Sequence, residues 1–332
     1  MKFKTGQSIF YLAIAFLLVF TYLSLFRDTG VSFDAGAEQA RMVTLYVPSS
    51  GGTPGEELLY HPAAPAPGDF LIVEAGPLPE DSNAELLFDF PGEVSEQYRP
   101  GNLFYAIVAV SYETEPGIYS LELITDPGGG AGSDLQAEII IADKDFRVSY
   151  FSMPPGTTAG WTADRLAEDR EKVRRARETT EPYPLWLQRF ITPLEGRISS
   201  GYGAIRIIDG NPPRRHSGID IVADEGEPII APNRGIVRLS EFLLSGGYTV
   251  IIDHGMGLSS TYMHLHEIAV AEGQVIERGE EIGTVGMTGY ATGPHLHWEI
   301  NIGQLPVNPG QLVDNDLLWI PPAYTVEKIK QR

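Results

Sequence analysis

The chain has 332 residues, enough for about two domains, and its 43% hydrophobic and 10% aromatic content excludes general disorder. A formal charge of -20 argues against nucleic acid and anionic membrane surfaces as partners, because both are bound through clustered Lys and Arg. The absence of cysteine excludes disulfides, thiolate metal sites, cysteine nucleophiles and a lipidated N-terminal cysteine, so any metal must take nitrogen and oxygen ligands.

Residues 1–28 open with Lys2 and Lys4, run through the apolar stretch Ile9 to Phe26 and end at Arg27-Asp28. Eighteen residues rise about 27 Å as a helix, close to one hydrocarbon thickness. Lys2 and Lys4 favour holding the N-terminal end in the cytoplasm and sending the rest across. A cleaved signal peptide is the rival, but Thr21-Tyr-Leu-Ser-Leu-Phe-Arg27 offers no clear small-x-small site. The expectation is a signal anchor, a single-pass transmembrane helix that leaves the bulk of the chain extracytoplasmic.

A polar tether follows at 29–40. With 36 Gly and 25 Pro, the chain is rich in turns and reads as mainly β. Val43, Leu45 and Val47 alternate as a strand. His61-Pro-Ala-Ala-Pro-Ala-Pro-Gly68 reads as a Pro-rich connector with His61 exposed in a loop. Further strands are expected at Phe70 to Val73, Ala84 to Phe90, Leu103 to Tyr112, Gly117 to Ile124 and Ala137 to Ala142, separated by Pro-Gly turns. That rhythm suggests an immunoglobulin-like β-sandwich over 40–150.

A connector helix is expected within 160–182. Thr162 suits its N-cap, Asp164 its first turn and Arg174, Arg175 and Arg177 its C-terminal end. Its charges pair at i,i+4 as Arg165 with Asp169, Glu168 with Lys172 and Glu171 with Arg175. Leu166 and Val173 give it only a thin apolar face, so it reads as a solvated connector with one edge docked. From 190 to 312 short β-branched runs alternate with glycine turns, which suggests a compact antiparallel β domain; 313–332 is a C-terminal tail.

Six of the seven histidines fall between His216 and His297, inside that second domain. His216 and Asp220 are four apart, but Pro212, Pro213, Gly218 and the β-branched Ile219, Ile221 and Val222 reject a helix. They read as a loop entering a strand with both side chains turned inward. His295 and His297 are two apart on a strand-like segment and so share a face. Each pair is weak alone, since a lone histidine in a β domain is usually structural, and His254 and His266 read that way. Two spaced pairs and an intervening histidine in one domain point to a metal site, which in a water-activating zinc centre takes three His or carboxylate ligands and leaves one position open.

His216-x-x-x-Asp220, Tyr262-x-His264-Leu and Gly289-x-x-x-Gly293-Pro-His295-Leu-His297-x-Glu299 together resemble the signature of the lysostaphin-type (LytM-type) zinc endopeptidases. Gly218-Ile-Asp-Ile, Ala231-Pro-x-x-Gly235-Ile-Val and Glu280-x-Ile-Gly-x-Val-Gly are also similar to that family, and the resemblance covers residues 190 to 312. It implies that His216, Asp220 and His297 hold one Zn2+, with His264 and His295 as a catalytic pair beside the activated water. With no His-Glu-x-x-His motif, no glutamate base of the helical metalloprotease kind is offered, so an imidazole must move the proton, and one or both of His264 and His295 can also stabilise the oxyanion. Glu299 could fix the tautomer of a ligand imidazole or be an ordinary surface glutamate. The loops Arg206 to Arg215 and Ser240 to Gly247 would rim the groove.

The implied activity is zinc-dependent hydrolysis of peptide bonds in the stem or cross-bridge peptides of peptidoglycan, at the extracytoplasmic face of the bacterial inner membrane, periplasmic or cell-wall facing. The alternative is a non-enzymatic regulator that binds and activates another wall hydrolase, although all five expected positions are filled. A biotinyl-type carrier, suggested by Glu272 to Gly283, is excluded because no lysine occurs between Lys172 and Lys328.

Overall fold

The computed structural model describes residues 57–79, 82–125, 134–186 and 188–314, all within one unit spanning Arg41–Arg332. The apolar segment 1–28, the strand expected at Val43 to Val47 and all but the first residues of the 313–332 tail lie outside these residues. Among the described residues no helix is long and apolar enough to cross a membrane.

Among the described residues, seven strands form the first half: β1 (Glu57–His61), β2 (Phe70–Gly76), β3 (Ala84–Phe88), β4 (Gly92–Val94), β5 (Phe104–Val110), β6 (Gly117–Thr125) and β7 (Asp134–Ile141). One antiparallel sheet runs β1-β2-β5-β4 and the other β3-β6-β7. Lettered A to G along the chain, these are the orders A-B-E-D and C-F-G of a constant-type immunoglobulin sandwich. His61 is not in a loop: it closes β1 opposite Ile72, half-buried, and burial lowers its pKa.

β5 is buried at all seven residues, and its composition gives the reason. Phe104, Ala106, Val108 and Val110 enter the sandwich core, while Tyr105, Ile107 and Ala109 on the opposite face join the core of the second half. The two halves therefore share an apolar interface.

Between them lie β8 (Val148–Phe151) and α1 (Ala163–Glu178). β8 falls inside the stretch expected to be sandwich, yet it pairs in parallel with a strand of the second half, Ile205–Ile208. That half contains β9 (Arg197–Ser200), β10 (Ile205–Ile208), β11 (Arg214–Arg215), β12 (Ile219–Val222), β13 (Pro228–Ile230), β14 (Gly235–Leu243) and β15 (Gly247–Asp253). It continues with β16 (Leu258–Leu265), β17 (Glu267–Ile268), β18 (Val275–Ile276), β19 (Glu281–Thr284), β20 (Leu296–Ile302), β21 (Leu305–Val307) and a short α2 (Pro309–Asp314). The main sheet runs β18-β14-β15-β16-β20-β12-β9, with β21 added on β20.

This sheet has two differently covered faces. Leu296, Trp298 and Ile300 of β20, with Tyr262, Val250 and Ile252, point into the core shared with the sandwich. The other face carries the cross-strand row Leu239, Ile251, Thr261 and Glu299, and α1 lies over it, burying Ala176 against Leu239, Leu243 and Ile251.

Thr162 caps α1, accepting from the Arg165 N–H at 3.2 Å. Of the three expected ion pairs along the helix only Glu171–Arg175 forms, at 2.8 Å. Asp169 instead accepts from the Leu244 N–H, and Lys172 pairs with Glu241 at 2.5 Å. Docking redirects charges that an isolated helix would pair internally.

Candidate metal and catalytic site

The site is built on the sheet face that α1 covers. Asp220 on β12 is directly opposite His297 on β20, and His297 is opposite Met263 on β16. His216 precedes β12, and Gly218 forms the junction. A Cβ on Gly218 would lie 2.2 Å from the Trp298 carbonyl oxygen, so only glycine lets this turn approach β20.

His264 required a backbone irregularity. Regular alternation along β16 would send it to the Tyr262 face, into the core. Its φ of +67° instead turns the ring toward the site, 4.8 Å from His295 and 6.0 Å from His297 between centroids. Histidine is among the few side chains that adopt this conformation with any frequency.

All four imidazoles are oriented by one device. His216 donates its Nδ1–H to the Gly201 carbonyl at 2.8 Å, His264 its Nδ1–H to Thr288 O at 2.8 Å, and His295 its Nδ1–H to Gly293 O at 2.8 Å. His297 uses its other nitrogen, donating Nε2–H to Glu299 Oε1 at 2.9 Å. A carbonyl or an ionised carboxylate can only accept, so each outward nitrogen carries the proton and the inward one is left for the site.

Three of the inward atoms converge. His216 Nε2 is 3.0 Å and His297 Nδ1 2.8 Å from Asp220 Oδ1, and the two nitrogens are 2.9 Å apart. All three residues are buried. His295 Nε2 lies further out, 3.8 Å from the same oxygen.

Three buried acceptors facing one point repel unless a positive charge sits among them. Burial opposes a charge on His297, but Asp220 and Glu299 push its pKa up to about 9. Burial would raise the Asp220 carboxyl, yet its contacts with the His216 and His297 rings hold it well below the usual range. Burial lowers the His216 pKa. A divalent cation meets that demand, and two imidazoles with one carboxylate are a zinc donor set. Ligands at about 2.0–2.1 Å from a tetrahedral zinc stand about 3.3 Å apart, a few tenths of an ångström wider than this triangle. The residues present fit the ion.

The remaining charges buttress these ligands. Glu299 accepts from Ser217 Oγ as well as His297, and its second oxygen is 2.6 Å from Arg177 Nη2 on α1. Burial would raise its pKa, but Arg177 and these hydrogen bonds hold it below the usual range. Arg206 on β10 pairs with the other Asp220 oxygen, and its guanidinium lies over Phe151 of β8 at 5.5 Å. Burial, reinforced by His295 and His297, lowers His264 to about 3, so it is neutral near pH 7.

The structure thus brings together His216, Asp220, His297, His264 and His295, and puts Glu299 beside the ligand His297. His254 stands apart, fully buried, with Nδ1–H donated to Arg234 O at 2.9 Å and Nε2 accepting from Ser260 at 2.8 Å. His266 is exposed beside Glu225 at 2.8 Å. Arg177 and the carbonyls that orient the rings were not singled out as site groups in the sequence. Arg206 was noted only as the start of a rim loop, and that loop is a β10–β11 hairpin extended by β8. The other proposed rim, Ser240 to Gly247, is the β14–β15 hairpin end, where Tyr248 N–H donates to Thr288 Oγ1 at 3.0 Å. Trp161, just before α1, packs on Tyr290 in the loop that follows Thr288, with centroids 5.7 Å apart.

Residues 214–309 match the model of Peptidase family M23. Over 96 residues, 29% of this chain and 22% of that protein, the chain is 44% identical to the DD-carboxypeptidase/endopeptidase Mpg of Neisseria meningitidis. Over 125 residues, 36% of this chain and 28% of that protein, it is 35% identical to the peptidoglycan DD-endopeptidase ShyA of Vibrio cholerae. It spans only 20% and 33% of the lengths of the first two curated relatives it matches. Among solved structures, a putative peptidase M23 from Pseudomonas aeruginosa aligns over 71% of this chain and 94% of its own, at 26% identity and a TM-score of 0.52. The β domain that gathers these histidines is accordingly a domain of peptidase family M23, the LytM-type family its motifs resemble.

Proposed function

We propose that this chain is a zinc-dependent endopeptidase that hydrolyses peptide bonds in the stem or cross-bridge peptides of peptidoglycan. The observation that carries the reading is the set of four imidazoles, each tied outward to a fixed acceptor so that its other nitrogen is left for one site beside Asp220. His216, Asp220 and His297 would hold the ion. When bound, zinc supplies Lewis acidity that polarises a carbonyl and brings the pKa of water toward neutrality.

The rest of the chemistry falls to His264 and His295. Neutral His264 has its Nε2 lone pair free to accept a proton, because its Nδ1–H is committed to Thr288 O. His295 is oriented in the same way by Gly293 O. An imidazole that has taken a proton onto its inward Nε2 can hold it toward the developing oxyanion and then return it to the leaving amine. Glu299 keeps His297 in the tautomer whose Nδ1 faces the ion.

The peptidoglycan substrate is supported by the activities for which the two relatives above are named. The expected placement, on the extracytoplasmic face of the bacterial inner membrane and held there by residues 1–28, suits a polymer found outside that membrane. Purified protein incubated with sacculi should release peptide fragments seen by mass spectrometry of muropeptides. A chelator should stop the release and added zinc restore it. Undiminished release by His295→Ala would refute the assigned chemistry, and no release by the zinc-loaded parent would refute the activity.

A further inference from the structure

We propose that Arg177, which lies outside the residues that match the family, is a positioning residue for the metal site. This inference rests on the zinc reading above. Arg177 stands in the last turn of α1, and its side chain is only 10% exposed. From there it crosses to the sheet, donating to Glu299 Oε2 at 2.6 Å and to Thr261 Oγ1 at 3.3 Å. Glu299 in turn accepts from His297 Nε2, and the opposite ring nitrogen of His297 faces Asp220 and His216.

Register explains why the link runs through Glu299. It is opposite Thr261, and Thr261 is opposite Ile251, in the row that α1 covers. Glu299 is two residues from His297 on the same face of β20, so one side chain touches both helix and ligand. Without Arg177 it would be a buried anion relying on Ser217 and His297 alone. It would then draw in water and loosen its hold on the ligand ring. α1 is also tied to the sheet by Lys172 with Glu241 and by Asp169 with the Leu244 N–H, but of these ties it is Arg177 that reaches Glu299.

The test is zinc affinity, measured by competition with a chromophoric chelator on the full chain, with melting temperature recorded for each metal-free variant. Arg177→Met should bind zinc about 10–100-fold more weakly, the loss typical when a ligand's supporting partner is removed. Arg177→Lys, which keeps the charge, should recover part of it. Arg177→Met combined with Glu299→Gln should bind no more weakly than Glu299→Gln alone, because both act through one link. Lys172→Met, which removes a surface tie of the same helix, should keep parental affinity.

Parental affinity in Arg177→Met, additive losses in the double variant, or an equal loss in Lys172→Met would overturn the inference. A purely structural role predicts a lower melting temperature with affinity intact. If Arg177→Met does not fold, the double variant, which leaves no orphaned charge, and Arg177→Lys carry the same comparison. A folded parent that binds no zinc overturns the metal reading itself, and the inference with it.

Discussion

Protonation of His254 should destabilise this domain in acid even when no metal is present to be lost. Its ring is fully buried between Arg234 O and Ser260 Oγ, and Ser260 Oγ in turn accepts from Tyr262 Oη at 2.8 Å. The neutral tautomer satisfies every group in this chain, and burial lowers the pKa from 6.5 to about 4. The folded value lies below the unfolded one. The stabilisation is therefore complete above about pH 6.5 and is lost as pH falls toward 4, because the unfolded chain takes up the proton first. A shift of this size amounts to about 3 kcal/mol in full, of which about 2 kcal/mol disappears between pH 7 and pH 4.5. Urea unfolding in excess chelator would measure it, comparing the parent with His254→Gln, whose amide has a donor and an acceptor but no titration. The parent should lose about 2 kcal/mol more than the variant over that interval. Equal pH dependence in the two proteins would refute the reasoning.

Other outcomes follow from the site. His295→Ala should keep full zinc content while kcat/KM falls by about two to four orders of magnitude, as expected on loss of a proton-transfer group. Asp220→Ala and His297→Ala should instead lose zinc itself, detected as metal content after desalting. Gly218→Ala should lower the melting temperature, with overpacking costing about 1–3 kcal/mol, and should weaken zinc binding as well. Its added methyl would press on the Trp298 carbonyl and separate β12 from β20.

Some of this was legible without coordinates because it is local. Two residues on a strand two apart share a face whatever the fold, so His295 and His297 could be paired from spacing, and Glu299 could be placed with them. The α1 cap and the mainly β character were equally local. The continuous apolar run of β5 was visible too, but not its cause: only packing shows that each face meets a different partner.

Other features depend on groups distant in sequence. Two of the helix charges expected to pair along α1, Lys172 and Asp169, reach Glu241 and the Leu244 N–H instead, because docking brings those partners close. Strand alternation would have buried His264 in the core, and its left-handed backbone reverses that. The carbonyls of Gly201, Thr288 and Gly293 have no sequence signature, since every residue carries one and only tertiary placement aims it at a ring. Arg177 read as an ordinary basic residue suited to a helix end.

The sequence by itself determined the composition of the centre: which nitrogens and oxygens are available, in what order, and that no thiolate or Glu-based mechanism competes. Tertiary structure decided the orientation of each ring and the charge that supports it. Ligand identity is a property of side chains, whereas tautomer and aim are set by hydrogen bonds across β9, β12, β16, β20 and α1, which come together only when the sheet closes.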